Sequence, residues 1–88
     1  MHQNYPNPFN PATTIQYELS RPAHVALKVI DMMGSEVRTI VDEEKAPGIY
    51  EARWDGKDND GQRATSGVYL YRLESGEQVQ TRKMILMK

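Results

Sequence analysis

The stretch Asp55-Gly56-Lys57-Asp58-Asn59-Asp60-Gly61 holds three carboxylates and an amide within six residues. Calcium takes hard oxygen donors of that kind, which makes Asp55, Asp58 and Asp60 the candidate metal ligands. The spacing argues against an EF-hand loop. Counting back from Gly61, Asp60 and Asp58 fall on ligand positions, but the first position is Gly56 and no helix pattern flanks the loop. The same residues suit two tight turns, in which Asp accepts backbone N–H bonds and Gly supplies a positive φ. The turn reading is preferred, so no metal and no other cofactor is expected. His2 and His24 have no neighbouring Cys, Asp or Glu at the spacing of a ligand set or a base–nucleophile pair. No catalytic residue is therefore expected. Tyr50, Trp54, Tyr69 and Tyr71 have the chemistry of a sugar-stacking platform, but all four fall at inward phases of alternating segments, which assigns them to a core.

The chain that must position these residues has 88 of them, enough for one domain with a modest core. Its 39% apolar and 26% charged fractions are those of an ordinary globular protein. A formal net charge of −1 supplies no field favouring nucleic acid. The absence of cysteine removes disulfides and thiolate metal sites. The longest apolar run, Met84-Ile85-Leu86-Met87, is too short to span a bilayer, so direct membrane insertion is not expected. The N-terminus has no basic region followed by an apolar run, so an exported form would take its signal peptide from a longer precursor.

Residues 1–12 carry three of the five prolines in Asn4-Tyr5-Pro6-Asn7-Pro8-Phe9-Asn10-Pro11. Proline fixes φ and extends its predecessor, so this segment reads as an extended arm or linker, with Tyr5 and Phe9 packed on the domain's edge. Residues 13–88 alternate in short strand patterns. Thr13 to Leu19, His24 to Ile30, Glu36 to Val41, Ile49 to Trp54, Val68 to Glu74 and Gln78 to Met87 are the strands, with a short seventh near Gln62 to Ala64. Asp31-Met32-Met33-Gly34 has the Asp-first, Gly-fourth preference of a type I turn and closes a hairpin. The acidic stretch Asp42-Glu43-Glu44-Lys45 with Pro47-Gly48 reads as a loop. Strand spacing, short connections and the lack of any 3.6-residue period predict an all-β, immunoglobulin-like antiparallel sandwich of about seven strands with no significant helix. The expected core contains Ile15, Tyr17, Leu27, Val29, Val37, Trp54, Tyr69, Tyr71 and Leu73.

Four segments in order resemble one family. Asn4 through Ile15, including Pro6, Asn7, Pro8 and Phe9, is similar to the opening signature of type A C-terminal sorting domains of the type IX secretion system. Val29 through Val37, with Asp31 and Gly34, resembles its second motif. Trp54-Asp55-Gly56 with Gly61, then Gly67-Val68-Tyr69-Leu70-Tyr71, resembles the third. Lys83-Met84-Ile85-Leu86-Met87-Lys88 resembles its basic–apolar–basic end. The resemblance implies a non-catalytic sandwich joined to a larger secreted enzyme or adhesin. It implies recognition at Lys83, Met84, Ile85, Leu86, Met87 and Lys88 by an outer-membrane secretion translocon, with a sortase-like protease as a further partner. Transit would run through the periplasm to the cell surface or medium. The same sandwich is similar to the immunoglobulin-like part of the flagellar hook-capping protein. A hook-capping-type scaffold and a passive spacer or glycan-binding module on a secreted glycoside hydrolase or protease are the alternatives.

Overall fold

The computed structural model describes residues 1–87. They form six strands: β1 (Thr13–Leu19), β2 (Ala23–Asp31), β3 (Glu36–Lys45), β4 (Gly48–Trp54), β5 (Gly67–Ser75) and β6 (Gln78–Leu86). No helix occurs among the described residues. β1 pairs with β4 in one antiparallel sheet, and the other runs β3-β2-β5-β6, also antiparallel throughout. This is the all-β sandwich expected, with one strand fewer. Residues 62–64 form no strand of a sheet; they fold back on residues 56–58 of the same loop through the isolated bridge Lys57↔Arg63, with Asp58 N–H donating to Gln62 O and Ala64 N–H to Gly56 O.

Alternation builds the core. Thr13, Ile15, Tyr17 and Leu19 bury one face of β1, and Ala52 and Trp54 extend that face across β4 through the pairs Ile15↔Ala52 and Thr13↔Trp54. Opposite them lie Val25, Leu27 and Val29 of β2, and Tyr69, Tyr71 and Leu73 of β5. Trp54 sits edge-on between Phe9 and Tyr69, with both ring centroids 5.5 Å away. Edge-to-face contacts of this kind place a positive ring edge on a negative π face. Val37 and Tyr50 are only half-buried and pack against this cluster from its margin. The Tyr69 and Tyr50 hydroxyls each donate to a carbonyl four residues upstream, those of Thr65 (2.6 Å) and Ala46 (2.7 Å). Each tyrosine thereby fixes the approach to its strand.

The acidic stretch is not a loop: Asp42, Glu43, Glu44 and Lys45 continue β3 to its end, paired with Ala26, Val25, His24 and Ala23. Sequence propensity loses here to an available partner backbone and to counter-charges. His24 Nε2 lies 2.6 Å from Asp42, and Lys45 Nζ lies 2.8 Å from Glu43 and 4.8 Å from the Tyr50 ring centre. The bond to Asp42 holds the His24 imidazolium and raises its pKa above the usual value. Charges along an edge strand also discourage pairing with other chains.

The two Asp-led turns share one construction. Asp31 Oδ1 accepts the N–H groups of Met33 and Ser35, and Asp58 Oδ1 accepts those of Asp60 and Gln62. Gly34 and Gly61 end these turns at φ +90° and +83°. No neighbour lies within 4 Å of a Cβ built on Gly34, so the demand for glycine there is purely conformational. Gly34→Val is expected to cost at least about 1–2 kcal/mol, the penalty of left-handed backbone, with an unchanged native fold by circular dichroism. Trp54→Ala, which empties the middle of the core, is expected to cost about 3–5 kcal/mol in urea denaturation.

Candidate recognition strand

β6 is an outer strand of the four-stranded sheet, joined to β5 by a two-residue hairpin. Gly76 opens that turn at φ +61° while Glu77, like every other non-glycine among the described residues, has no positive φ, the requirement of a type II′ turn. Alternation splits the terminal apolar run. Met84 and Leu86 are buried in the core, whereas Ile85 and Met87 remain 37% and 54% exposed. Lys83 is exposed and makes no ion pair among the described residues. Lys88, named with this run, lies outside the described residues.

The N-terminal arm, expected to lie on the domain's edge through its rings, occupies part of this strand's edge through its backbone. Phe9 N–H donates to the Ile85 carbonyl (3.0 Å) and Met87 N–H donates to the Phe9 carbonyl (2.9 Å). Asn7 Oδ1 accepts the Ile85 N–H (3.0 Å), and Gln3 Nε2 donates to the Lys83 carbonyl (2.9 Å). Earlier in the arm, His2 N–H donates to the Gln16 carbonyl, and Tyr5 and Thr14 exchange both backbone bonds at 2.9 Å. Residues 1–9 therefore tie β1 of one sheet to β6 of the other and close that side of the sandwich. Both rings are expected to pack on the domain's edge; Phe9 is instead buried in the core against Trp54, and Tyr5 is 80% exposed. Its backbone, not its ring, is what the edge uses.

Asn4 anchors the arm. Among the described residues it is one of two buried polar ones, with Thr13. Its N–H donates to the Tyr71 hydroxyl (2.9 Å), which in turn donates to the His2 carbonyl (3.0 Å). Its side-chain amide donates to Pro6 O (3.2 Å) and Thr13 Oγ1 (3.0 Å) and accepts from Gln3 Nε2 (2.6 Å). Thr13 Oγ1 donates to the same Pro6 carbonyl at 2.8 Å. Burial raises the Tyr71 pKa, keeping its hydroxyl in the neutral form that can donate and accept at once.

The Asp55–Gly61 segment closes the opposite side. Asn59 N–H donates to the Val37 carbonyl, Asn59 Oδ1 accepts the Thr39 N–H, and Asn59 Nδ2 donates to Glu36. Asp55 Oδ1 accepts the Lys57 N–H (3.0 Å) and faces Arg38 Nη1 (3.1 Å). Trp54 Nε1 donates to the Lys57 carbonyl at 2.8 Å. The Asp55 and Asp58 carboxylates are thus engaged with backbone and Arg38, and the described residues contain no group of three acidic, His or Cys side chains arranged to hold a metal. Gly56 sits at φ +82°, where a Cβ would lie 2.7 Å from the Pro11 carbonyl, so only glycine lets the arm's end pass. No helix among the described residues is long and apolar enough to cross a membrane.

Tyr71→Phe leaves the buried Asn4 N–H without its acceptor. The expected cost is about 1–3 kcal/mol, the penalty for an unsatisfied buried donor. Amide exchange should speed up at Asn4, Tyr5 and Phe9 before it does in β2 or β5.

A family model described as the FlgD Ig-like domain matches residues 9–78. No curated protein matches the chain. Among solved structures, the chain is similar to dimeric latent PorU from Porphyromonas gingivalis, at TM-score 0.74 and 21% identity, covering 97% of this chain and 9% of that one. FlgD from P. aeruginosa gives TM-score 0.66 and 24% identity over 84% of this chain and 58% of that one. PorZ, a surface component of the type IX secretion system of P. gingivalis, gives 0.67 and 21% over 98% of this chain and 11% of that one. The chain thus spans less than two thirds of each of these proteins. On the match to the family model, which takes in most of its length and the whole of β1 through β5, the chain belongs to the FlgD Ig-like domain family.

Proposed function

We propose that this domain is a non-catalytic C-terminal sorting module, which directs an attached secreted enzyme or adhesin across the outer membrane and is read through its last strand. The observation that carries this reading is one of extent. The family-model match ends at residue 78, the first residue of β6, and begins at residue 9, after most of the arm. The likeness to PorU and PorZ instead runs over 97% and 98% of the chain, against 84% for FlgD. Residues 1–8 of the arm and all but the first residue of the last strand, which bond to each other through Gln3 and Asn7, are outside the family-model match. Their presence supports the relation to a secretion-system component over a hook-cap scaffold.

In this reading Lys83, Met84, Ile85, Leu86, Met87 and Lys88 are the recognised residues. Met84 and Leu86 fix the strand in the core, while Lys83, Ile85 and Met87 face outward. A translocon in the outer membrane is the partner, a sortase-like protease acts afterwards, and the cargo ends at the cell surface or outside the cell. The passive-spacer reading with a glycan platform has less support, since Trp54, Tyr69 and Tyr71 are buried.

The test joins the chain behind a periplasmic reporter in a bacterium that has a type IX system. Lys83→Ala with Lys88→Ala changes charge and leaves the core residues Met84 and Leu86 in place. Melting temperature is expected to be unchanged, and the reporter is expected to stay in the periplasm. Export at the wild-type rate by a normally folded double variant would falsify the reading of these lysines as the signal.

A further inference from the structure

The outer edge of β6 divides into two halves with different fates. In the β5–β6 ladder alternate residues turn their backbone groups inward to β5, and those between turn outward. Ile85 is an outward residue, since Asn7 and Phe9 hold its N–H and C=O. Stepping back by two puts Lys83, Thr81 and Val79 on the same outward row. The arm takes only the Lys83 carbonyl of these. The N–H of Lys83 and both backbone groups of Thr81 and Val79 make no bond among the described residues. All of Gln78 to Lys83 is exposed, and Val79 is 60% exposed.

We infer that this open half, Val79 to Lys83, is a docking edge for an extended, carboxylate-bearing segment of a partner protein, which adds as a fifth strand to the β3-β2-β5-β6 sheet. This rests on the proposed reading of β6 as the recognised strand and moves the backbone contact from Lys83–Lys88 to the residues before it. Two features specify the occupant. The molecule already uses this edge for strand addition, because Asn7 to Phe9 pairs with Ile85 to Met87 in parallel as an extended segment. An incoming strand would continue that row.

Charge supplies the second feature. β6 contains no Asp or Glu, yet carries Lys83 at its open half beside Arg82, whose Nε donates to the Met1 carbonyl (3.2 Å). Cross-strand neighbours of opposite charge stabilise a ladder and like charges weaken it. A second copy of β6 would bring four cations and no carboxylate into one short ladder, so an acidic strand fits where self-pairing does not. Side chains of alternate phase would meet Val79 and Thr81 on one face and Arg82 on the other.

The probe is an eight-residue peptide of alternating valine and glutamate, with a valine–lysine peptide as control, added to the whole 88-residue chain. Amide exchange followed by NMR is expected to slow at Val79, Thr81 and Lys83 and to stay unchanged at Gln80 and Arg82, whose N–H groups face β5. Thr81→Pro removes one outward N–H and no β5–β6 bond, a placement that edge strands tolerate; it is expected to abolish the protection. Lys83→Glu, which does not depend on proline being accepted, is expected to exchange the preference to the lysine peptide. Protection that appears with neither peptide, survives Thr81→Pro, or arises without peptide at rising protein concentration as self-pairing would overturn the inference. The export assay separates the two readings. If Lys83→Ala with Lys88→Ala traps the reporter while the folded Thr81→Pro variant exports normally, the sorting role stands and the open-edge contact falls.

Discussion

A polar side chain buried in a sandwich must find all its hydrogen bonds inside it, and Asn4 is placed under that constraint. Its partners come from three separated parts of the chain: Tyr71 in β5, Thr13 at the start of β1, and Pro6 and Gln3 in the arm itself. Leaving such a group unpaired costs more than an ordinary hydrogen bond returns. The arm is therefore either seated with every bond made or not seated at all. Once Asn4 is fixed, Asn7 reaches Ile85, Phe9 reaches Trp54 and Leu86, and the side of the sandwich between β1 and β6 is closed.

The far side is closed by a different device with the same logic. Asn59 binds the edge of β3 through both its backbone and its side chain, and Arg38 ties that strand to Asp55 and to the Lys57 carbonyl. Sheets expose unpaired groups at their edges, and those groups recruit other chains unless they are covered or charged. Here one edge of the four-stranded sheet is covered by Asn59 and then guarded by Asp42, Glu43 and Glu44. The other edge is covered by the arm at Ile85 and Met87, with Gln3 on the Lys83 carbonyl. The asymmetry leaves a defined gap at Val79 to Lys83, in the strand to which the sorting function is attributed.

Much of this was legible in residue order, for reasons that are local. Alternation in Thr13–Leu19, Ala23–Asp31 and Gly67–Ser75 fixes which side chains face inward, because strand geometry repeats every two residues. The Asp31 and Asp58 turns are each contained within a few residues, so their type and their glycines follow from composition alone. The extension of β3 through Asp42–Lys45 was not legible. Three carboxylates in a row disfavour a strand in isolation, and only the facing His24 and the backbone of β2 reverse that preference. Residues 62–64 failed in the opposite direction: their partner is the near end of their own loop, residues 56–58, so they add no strand to either sheet.

The amino-acid order by itself determined the all-β class, the strand phases, the two Asp-led turns and the burial of Trp54, Tyr69 and Tyr71. Each depends on neighbours within a turn or a strand. The tertiary structure alone decided what the Pro-rich arm does, why Asn4 is buried while Tyr5 is exposed, and which half of β6 remains open. Those outcomes depend on contacts between residues as far apart as Asn4 and Tyr71, or Asn7 and Ile85. No periodicity in one segment encodes the position of another segment that far along the chain, so such pairings become visible only when both sheets are assembled.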